Sequence, residues 1–458
     1  MPDDQHLGMI VPVPMTRRSV LATGFATIAA AVAGCDPGGG SWADGGETTS
    51  AVGAGSAPVP APPPLADPTP VRALSAAAVP YAAPLRAVLR KYLKPTAANP
   101  KHPTYAGAVA VVMVNNTVTA SVAVGHALRY GAGPKELPPA RRVAMRTDSI
   151  FDLASLTKVY TSILLLQQVD RGRVDLDAPV VKYLPGFTGA GKSAVTVRML
   201  LTHTSGLRVG ATVKGLASLA AKRAAVLSTP LVRGAVPGAT FRYSSVGLMV
   251  AAQIVEKVTG SHLDAALKAG ITGPLGLHAT GFTPLKWLSN AERSARLVAT
   301  DARSSRGLLR GVVHDDVANQ MGGIIGSAGI FGTAREVAII GQMLLGGGVY
   351  GGRRVLSTAI VREMLTNHNK GLPVVDPDRP GRPSDHGLGV TLRQPWFMGR
   401  LSTPRTFGHT GFTGTSLLVH PEKKLVLALL TNRAHPNWSW ANPDPMRAEV
   451  ANVIASGL

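Results

Sequence analysis

From residue 81 onward the chain alternates between apolar runs and stretches of helical spacing. Tyr81 to Lys94 repeats its apolar positions at helical intervals. Gly107 to Val114, "GAVAVVMV", is an unbroken apolar run with β-branched residues. Asn115-Asn116 makes a turn, and "TVTASVAVG" (117 to 125) follows as a partner strand, so a hairpin in a buried sheet is predicted. After a loop through "YGAGPKELPPARR", Leu156, Tyr160, Ile163, Leu164 and Gln167 fall at helical intervals. They predict an amphipathic helix to about Asp170, with Gly172 just past its end. "TVRMLLTHTSGL" reads as a short helix leading into a polar turn. Residues 212 to 227 are alanine-rich and helical, "YSSVGLMVAAQIVEKVTG" is a helix stopped by Gly260, and "SHLDAALKAGITGPLGL" adds one more.

The C-terminal part changes character. "AREVAIIGQMLLGGG" is helical. "FGHTG", "GTSLLVHPE" and "KKLVLALLTNR" read as strands, the last two joined by a tight turn at Pro421 to Lys424, and a helix follows Pro445. A sheet is therefore built from both ends of one α/β (α+β) domain, residues 81–458, with a helical lobe inserted between them.

The N-terminal residues follow another pattern. "TRRSVLATGFATIAAAVAGC" holds the pair Arg17-Arg18, an apolar run from Val20 to Ala33, and Cys35. The run is shorter than the ~20 residues of a spanning helix and fits the core of an export signal. Thr16 to Leu21 resembles the twin-arginine export motif, and Val32 to Cys35 resembles a bacterial lipobox, in which the cysteine is lipidated. Residues 1–35 are thus expected to be an export signal with a lipobox; an ordinary cleaved signal or a buried helix is the alternative. Cys35 is the sole cysteine, so no internal disulfide staples the fold. Residues 36–80, including "GSAPVPAPPPLADPTP", read as a Pro/Gly/Ala-rich linker, because proline removes donors and clashes in helices. The expected location is outside the cell, lipid-anchored to the outer face of the cytoplasmic membrane, or secreted.

Composition adds little until charge is counted. With 458 residues, 45% of them hydrophobic, a large core is available. The formal net charge is +21. Lysines and arginines are scattered and no basic run is interleaved with aromatics, which argues against nucleic acid. An anionic lipid or cell-wall surface is the more natural neighbour.

The stretch with most chemistry is "FDLASLTKVYTSILLLQQVDRGRVDLD". Ser155-Leu156-Thr157-Lys158 is a Ser-x-x-Lys pair where a helix begins. Residues three apart share a helix face, so Lys158 sits over Ser155. The helix start favours developing negative charge. A serine hydroxyl needs a base to attack a carbonyl, and an unprotonated lysine supplies one. The same residues also fit a capping serine beside a surface lysine.

Further stretches occur in a telling order: "LLTHTSGL" at 200 to 207, Tyr243-Ser244-Ser245 opening "VGLMVAAQIVEKVTG", "GVVHDDVANQMGG", and His409-Thr410-Gly411 within "HTGFTGTSLLVHPEKKLVLALLTNR". With the Ser-x-x-Lys pair they make the chain similar to the serine β-lactamase and penicillin-binding-protein superfamily. The similarity is to its class C β-lactamase-like branch, notably penicillin-binding-protein 4B-like members. The resemblance implies a β-lactamase/transpeptidase-like fold, a mainly antiparallel sheet flanked by helices. It implies Ser155 as acyl-accepting nucleophile, Lys158 as its activator and Tyr243 as partner in acid/base work. Ser245, His409, Thr410, Gly411 and Phe412 match the substrate-binding and oxyanion side of the site, with the N–H groups of Ser155 and Phe412 as oxyanion donors. No metal or organic cofactor is implied.

Two positions depart from the family pattern. Histidine stands at 409 where β-lactamases carry lysine, a weaker cationic partner at neutral pH. Ser245 replaces the usual Asn or Asp and offers no amide to hold Lys158 and a substrate together. Both weigh against strong β-lactamase activity. His314, Asp315 and Asp316 in "VHDDVAN" lack zinc-like spacing and read as a family loop, with Asp315 a candidate pocket residue. His203 reads as structural, bonding its own turn, and Trp438 and Trp440 as core or rim packing. No Gly-x-Ser-x-Gly elbow is present.

The sequence therefore predicts an exported serine hydrolase that acts through an acyl-serine intermediate on amide or ester bonds, those of D-alanyl-D-alanine-type peptides of the cell wall. The alternatives are a small-molecule esterase or weak class C-like β-lactamase, and a penicillin-binding or wall-sensing protein that acylates without turnover. Expected partners are a small peptide, ester or β-lactam substrate, peptidoglycan, and a membrane through the lipid anchor. No nucleic acid is expected, and the protein is expected to be a monomer.

Overall fold

The strand Gly107–Val114 shows why its sequence carries no polar alternation. Val109, Val111 and Met113 enter one hydrophobic core, and Ala108, Ala110 and Val112 enter another on the opposite face. The strand Leu425–Thr431 divides likewise, with Val426, Ala428 and Leu430 on one face and Leu425, Leu427 and Leu429 on the other. A sheet covered on both faces selects continuous apolar runs. The computed structural model describes residues 79–375 and 381–458. The expected export signal, Cys35 and the linker up to residue 78 lie outside the described residues.

The main sheet has seven antiparallel strands. Their order is Thr391–Leu392, Phe407–Thr410, Ser416–His420, Leu425–Thr431, Gly107–Val114, Thr117–Leu128 and Val143–Ala144. The N-terminal hairpin thus joins the C-terminal strands through Gly107–Val114 and Leu425–Thr431, paired Ala108 to Thr431 through Val114 to Leu425. One face is covered by the helices Ala82–Lys91 and Asp444–Ser456, which contribute Leu85, Leu89, Met446, Val450 and Ile454. The other face carries the larger core and the helical lobe. Among the described residues no helix is long and apolar enough to cross a membrane.

The helix Thr157–Asp170 departs from the amphipathic pattern. Every residue from Thr157 to Gln168 is buried. A helix enclosed all round must place its polar side chains on internal acceptors. Thr161 Oγ1 donates to the Gly326 carbonyl at 2.8 Å, Ser162 Oγ to Lys158 O at 2.8 Å, and Gln167 Nε2 to Gly270 O at 2.8 Å. Beside it packs the helix Ser245–Thr259, capped by Ser244 Oγ on the Gly247 N–H and ended by Gly260 at φ +66°.

Two helical expectations need correction. The alanine-rich helix begins only at Leu219 and runs to Ser228, with Ser218 as its cap, so residues 212–218 are not helical. The "SHLDAALKAGITGPLGL" stretch is not one regular helix. It runs as Leu263–Leu267, then a π-helical turn Lys268–Thr272, then Gly273–Leu275. Pro274 has no N–H to give the Gly270 carbonyl, and Gln167 donates to that oxygen instead.

Candidate active site

Ser155 sits in a tight 3-10 turn, Ala154–Leu156, that runs straight into the helix Thr157–Asp170. It caps nothing: the helix has no side-chain cap. Its Oγ instead accepts from Lys158 Nζ at 2.9 Å and from Tyr243 OH at 3.0 Å. The expected helix face does bring Lys158 over Ser155, but Lys158 is only 1% exposed and is no surface lysine. Its Nζ also donates to the Ser327 carbonyl at 3.0 Å and stands 5.1 Å from the centre of the Tyr243 ring. No carboxylate pairs with it among the described residues.

Tyr243 reaches the nucleophile from the residue just before the Ser244 cap, so the start of the helix Ser245–Thr259 fixes its position. His203 supports it. The His203 ring lies 4.6 Å from the Tyr243 ring, and its Nδ1 accepts from the Ser244 N–H at 3.2 Å. The expectation that His203 bonds its own turn is corrected: it bonds the segment carrying Tyr243. Ser245 stands at the first turn of that helix, where its N–H donates to the Val209 carbonyl at 2.9 Å. Its side chain makes no hydrogen bond to Lys158 among the described residues.

The opposite wall is the strand Phe407–Thr410 and the turn after it. His409 is buried, and its Nδ1 lies 2.9 Å from the Thr410 carbonyl. Gly411 donates to Thr415 O at 2.8 Å, and Arg447 Nη2 binds the carbonyls of Gly411 and Thr415 at 2.8 and 2.9 Å. The hydroxyls of Thr413 and Thr415 donate to the carbonyls of Asp152 and Leu153 at 2.7 and 2.9 Å. The Phe412 segment is thereby tied to the turn that holds Ser155. The Phe412 N–H makes no hydrogen bond to another described residue.

A cavity of about 330 Å³ opens beside Ser155, lined by residues including Arg303, Arg306, His314, Asp315, Phe412 and Trp438. Phe412 and Trp438 are its exposed aromatics, with ring centres 5.7 Å apart. Arg433 lies over the Phe412 ring at 4.5 Å. The arginines are organised by buried Asp301. Arg303 binds it at 2.6 Å and His314 Nε2 stands 3.3 Å away. Burial pushes the Asp301 carboxyl up, but His314 and Arg303 outweigh it and hold the group well below the usual carboxylate range. Arg306 pairs with Asp316 at 3.0 Å and donates to His314 O at 2.7 Å.

The "VHDDVAN" residues are accounted for locally. Asp315 caps the short helix Asp316–Gln320 through the Ala318 N–H at 2.8 Å while lining the cavity. The two tryptophans part company: Trp440 stacks on His102 at 4.0 Å, while Trp438 faces the cavity. Arg303 and Arg306 carried no sequence signal, because only folding brings "ARSSR" to the nucleophile. Ser327 was equally hidden, since it acts through a backbone carbonyl.

Comparison with known proteins agrees with this architecture. Residues 86–452 match the family model described as Beta-lactamase. A protein of Salmonella enteritidis PT4 (strain P125109), named "Putative D-alanyl-D-alanine carboxypeptidase", is 30% identical over 380 residues, 76% of this chain and 82% of that one. A penicillin-binding-protein homologue from Caulobacter crescentus superposes with a TM-score of 0.61 at 22% identity, over 83% of this chain and 98% of its own. EstCE1, a hydrolase with promiscuous acyltransferase activity, gives 0.60 at 19%, over 82% and 98%. At those identities the two structures speak for the fold alone. The chain belongs to the beta-lactamase family and is a serine hydrolase.

Proposed function

We propose that the protein hydrolyses D-alanyl-D-alanine-type peptide bonds through an acyl-serine formed on Ser155. The observation that carries this is the pair of donors converging on one hydroxyl, Lys158 Nζ at 2.9 Å and Tyr243 OH at 3.0 Å. In the first step Ser155 Oγ attacks the carbonyl carbon. Its proton passes to Lys158 and reaches the leaving nitrogen through Tyr243. The tetrahedral oxyanion is received by the N–H groups of Ser155 and Phe412, donors fixed before charge develops. In the second step the same pair takes a proton from water, which attacks the acyl carbon; the bond from that carbon to Ser155 Oγ breaks, the proton passes to Oγ, and the acid leaves.

The peptide substrate is supported by the name of the 30%-identical Salmonella relative and by the sequence expectation of export. A lipid anchor at Cys35, with residues 36–80 as spacer, would hold the enzyme at the outer face of the cytoplasmic membrane. Membrane fractionation of the Cys35→Ser variant tests that location. An ester reading is favoured by one feature of the cavity. Arg303 and Arg306 are already paired with Asp301 and Asp316, which weakens their pull on a substrate carboxylate. Release of D-alanine from D-Ala-D-Ala peptides, measured beside hydrolysis of short-chain aryl esters, separates the two. Peptide turnover supports the carboxypeptidase reading, and ester turnover alone replaces it.

A further inference from the structure

Asp152 closes the short strand that leads into the nucleophile turn, and it is 1% exposed. Each of its oxygens takes a backbone N–H from a different part of the molecule. Oδ1 accepts from Ala154 at 2.9 Å and Oδ2 from His314 at 2.7 Å. Ala154 directly precedes Ser155 and has φ +48°, a left-handed conformation that is strained for a non-glycine residue. His314 opens the loop that lines the cavity beside Ser155. The Asp152 and Leu153 carbonyls meanwhile accept Thr413 and Thr415, from the turn that carries Phe412. One carboxylate thus stands where the nucleophile turn, the cavity loop and the Phe412 turn meet.

We propose that Asp152 is a positioning residue for acyl transfer, whose ionised carboxylate clamps the strained Ala154 turn and so aims the Oγ and N–H of Ser155 at the substrate carbonyl. The inference rests on the acyl-serine reading above. The demand is specific to a carboxylate, which accepts at both oxygens and donates at neither. An amide of the same shape turns its NH2 toward one of the two N–H donors and loses that bond. Burial pushes the Asp152 carboxyl above its ordinary value. The His314 and Ala154 N–H groups and the His314 side chain pull it down, while Asp315 pushes it up. Protonation makes one oxygen a hydroxyl and slackens one arm of the clamp, so acylation weakens on the acid side.

The test uses the full chain, an aryl acetate, and labelling by a fluorescent penicillin. Asp152→Asn is expected to lower kcat and the labelling rate by about 100-fold, the scale of a small misplacement of reacting groups, with KM changed only a few-fold. The acid limb of its pH profile shifts. Adding Ala154→Gly returns part of the loss, because glycine adopts the turn without a clamp. Wild-type kcat in Asp152→Asn overturns the proposal, as does a loss that glycine does not relieve with the pH profile unchanged. Where the Asn variant melts below the assay temperature, Asp152→Glu decides. It keeps the charge but moves it, so lowered kcat with the acid limb retained supports the clamp, and full kcat contradicts it. If the wild type itself shows no turnover or label that depends on Ser155, the acyl-serine reading fails first and takes this one with it.

Discussion

Gly411 and Leu153 are packed so closely that a Cβ on Gly411 would stand 2.5 Å from the Leu153 carbonyl oxygen. Backbone from the last sheet strands meets the backbone of the nucleophile turn there, with Thr415 Oγ1 closing the same gap. Gly411→Ala is expected to push the two apart. The overpacking costs about 1–3 kcal/mol, read by urea unfolding. Penicillin labelling of Ser155 slows at least about ten-fold, because the Phe412 N–H moves with the strand end.

Lys158 and Tyr243 divide one task, so removing either is expected to cost nearly as much as removing both. Tyr243→Phe keeps the ring beside His203 and takes away only the hydroxyl. Lys158→Met keeps the volume and removes the donor to Ser155 and Ser327. Each lowers kcat by about 10²–10⁴-fold, and the double variant falls little further. Steady-state kinetics on an aryl ester reads this, and additive losses argue against a shared proton path.

Two buried histidines set the acid side of stability. Burial lowers His435 to about 3 and His386 to about 4, from an ordinary value of 6.5. His435 Nε2 accepts from the N–H groups of Tyr130 at 3.1 Å and Arg129 at 3.3 Å, bonds that a proton would abolish. His386 Nδ1 is held by Gly387 O at 2.7 Å. Below pH 6.5 the unfolded chain binds protons that the folded chain refuses. Stability is therefore fully present above that value and falls as pH drops toward 4, by about 1.4 kcal/mol per pH unit for each histidine. Asp152 works the other way, since its raised carboxyl binds its proton in the folded state first. The histidines are expected to win, leaving the protein on the order of 3 kcal/mol less stable at pH 5 than at pH 7. Urea titrations at both values check this, and His435→Gln is expected to flatten the slope.

The aromatic pair at the cavity predicts an effect on choice of substrate. Phe412→Ala and Trp438→Ala each remove a ring from the wall beside Ser155. Selectivity for aryl-acyl over acetyl esters, as a ratio of kcat/KM, is expected to fall about ten-fold. Turnover of the acetyl ester changes little in Trp438→Ala. An unchanged ratio would mean the acyl group lies elsewhere.

Much of this fold is local and could be read along the chain. The hairpin at Asn115-Asn116, the C-terminal strands and the helix ended by Gly260 all carry short-range signals. Ser155, Lys158 and Tyr243 were visible through the resemblance. The helix Thr157–Asp170 reads as amphipathic because Thr161 and Ser162 look polar, yet each meets a carbonyl inside the fold. The break at Lys268–Thr272 turns on a side chain about a hundred residues away in sequence, which periodicity does not register. Asp152 lay in the quoted stretch, but its worth depends on the His314 N–H, and sequence gives no sign of that contact.

The most direct test of the account is intact-mass spectrometry of the full chain with a fluorescent penicillin and with p-nitrophenyl acetate, beside Ser155→Ala. The account predicts an adduct of the acyl mass on the wild type, absent from the variant, and lost with time as the acyl-enzyme hydrolyses. No adduct with either reagent, and ester turnover no greater than that of the variant, would contradict it.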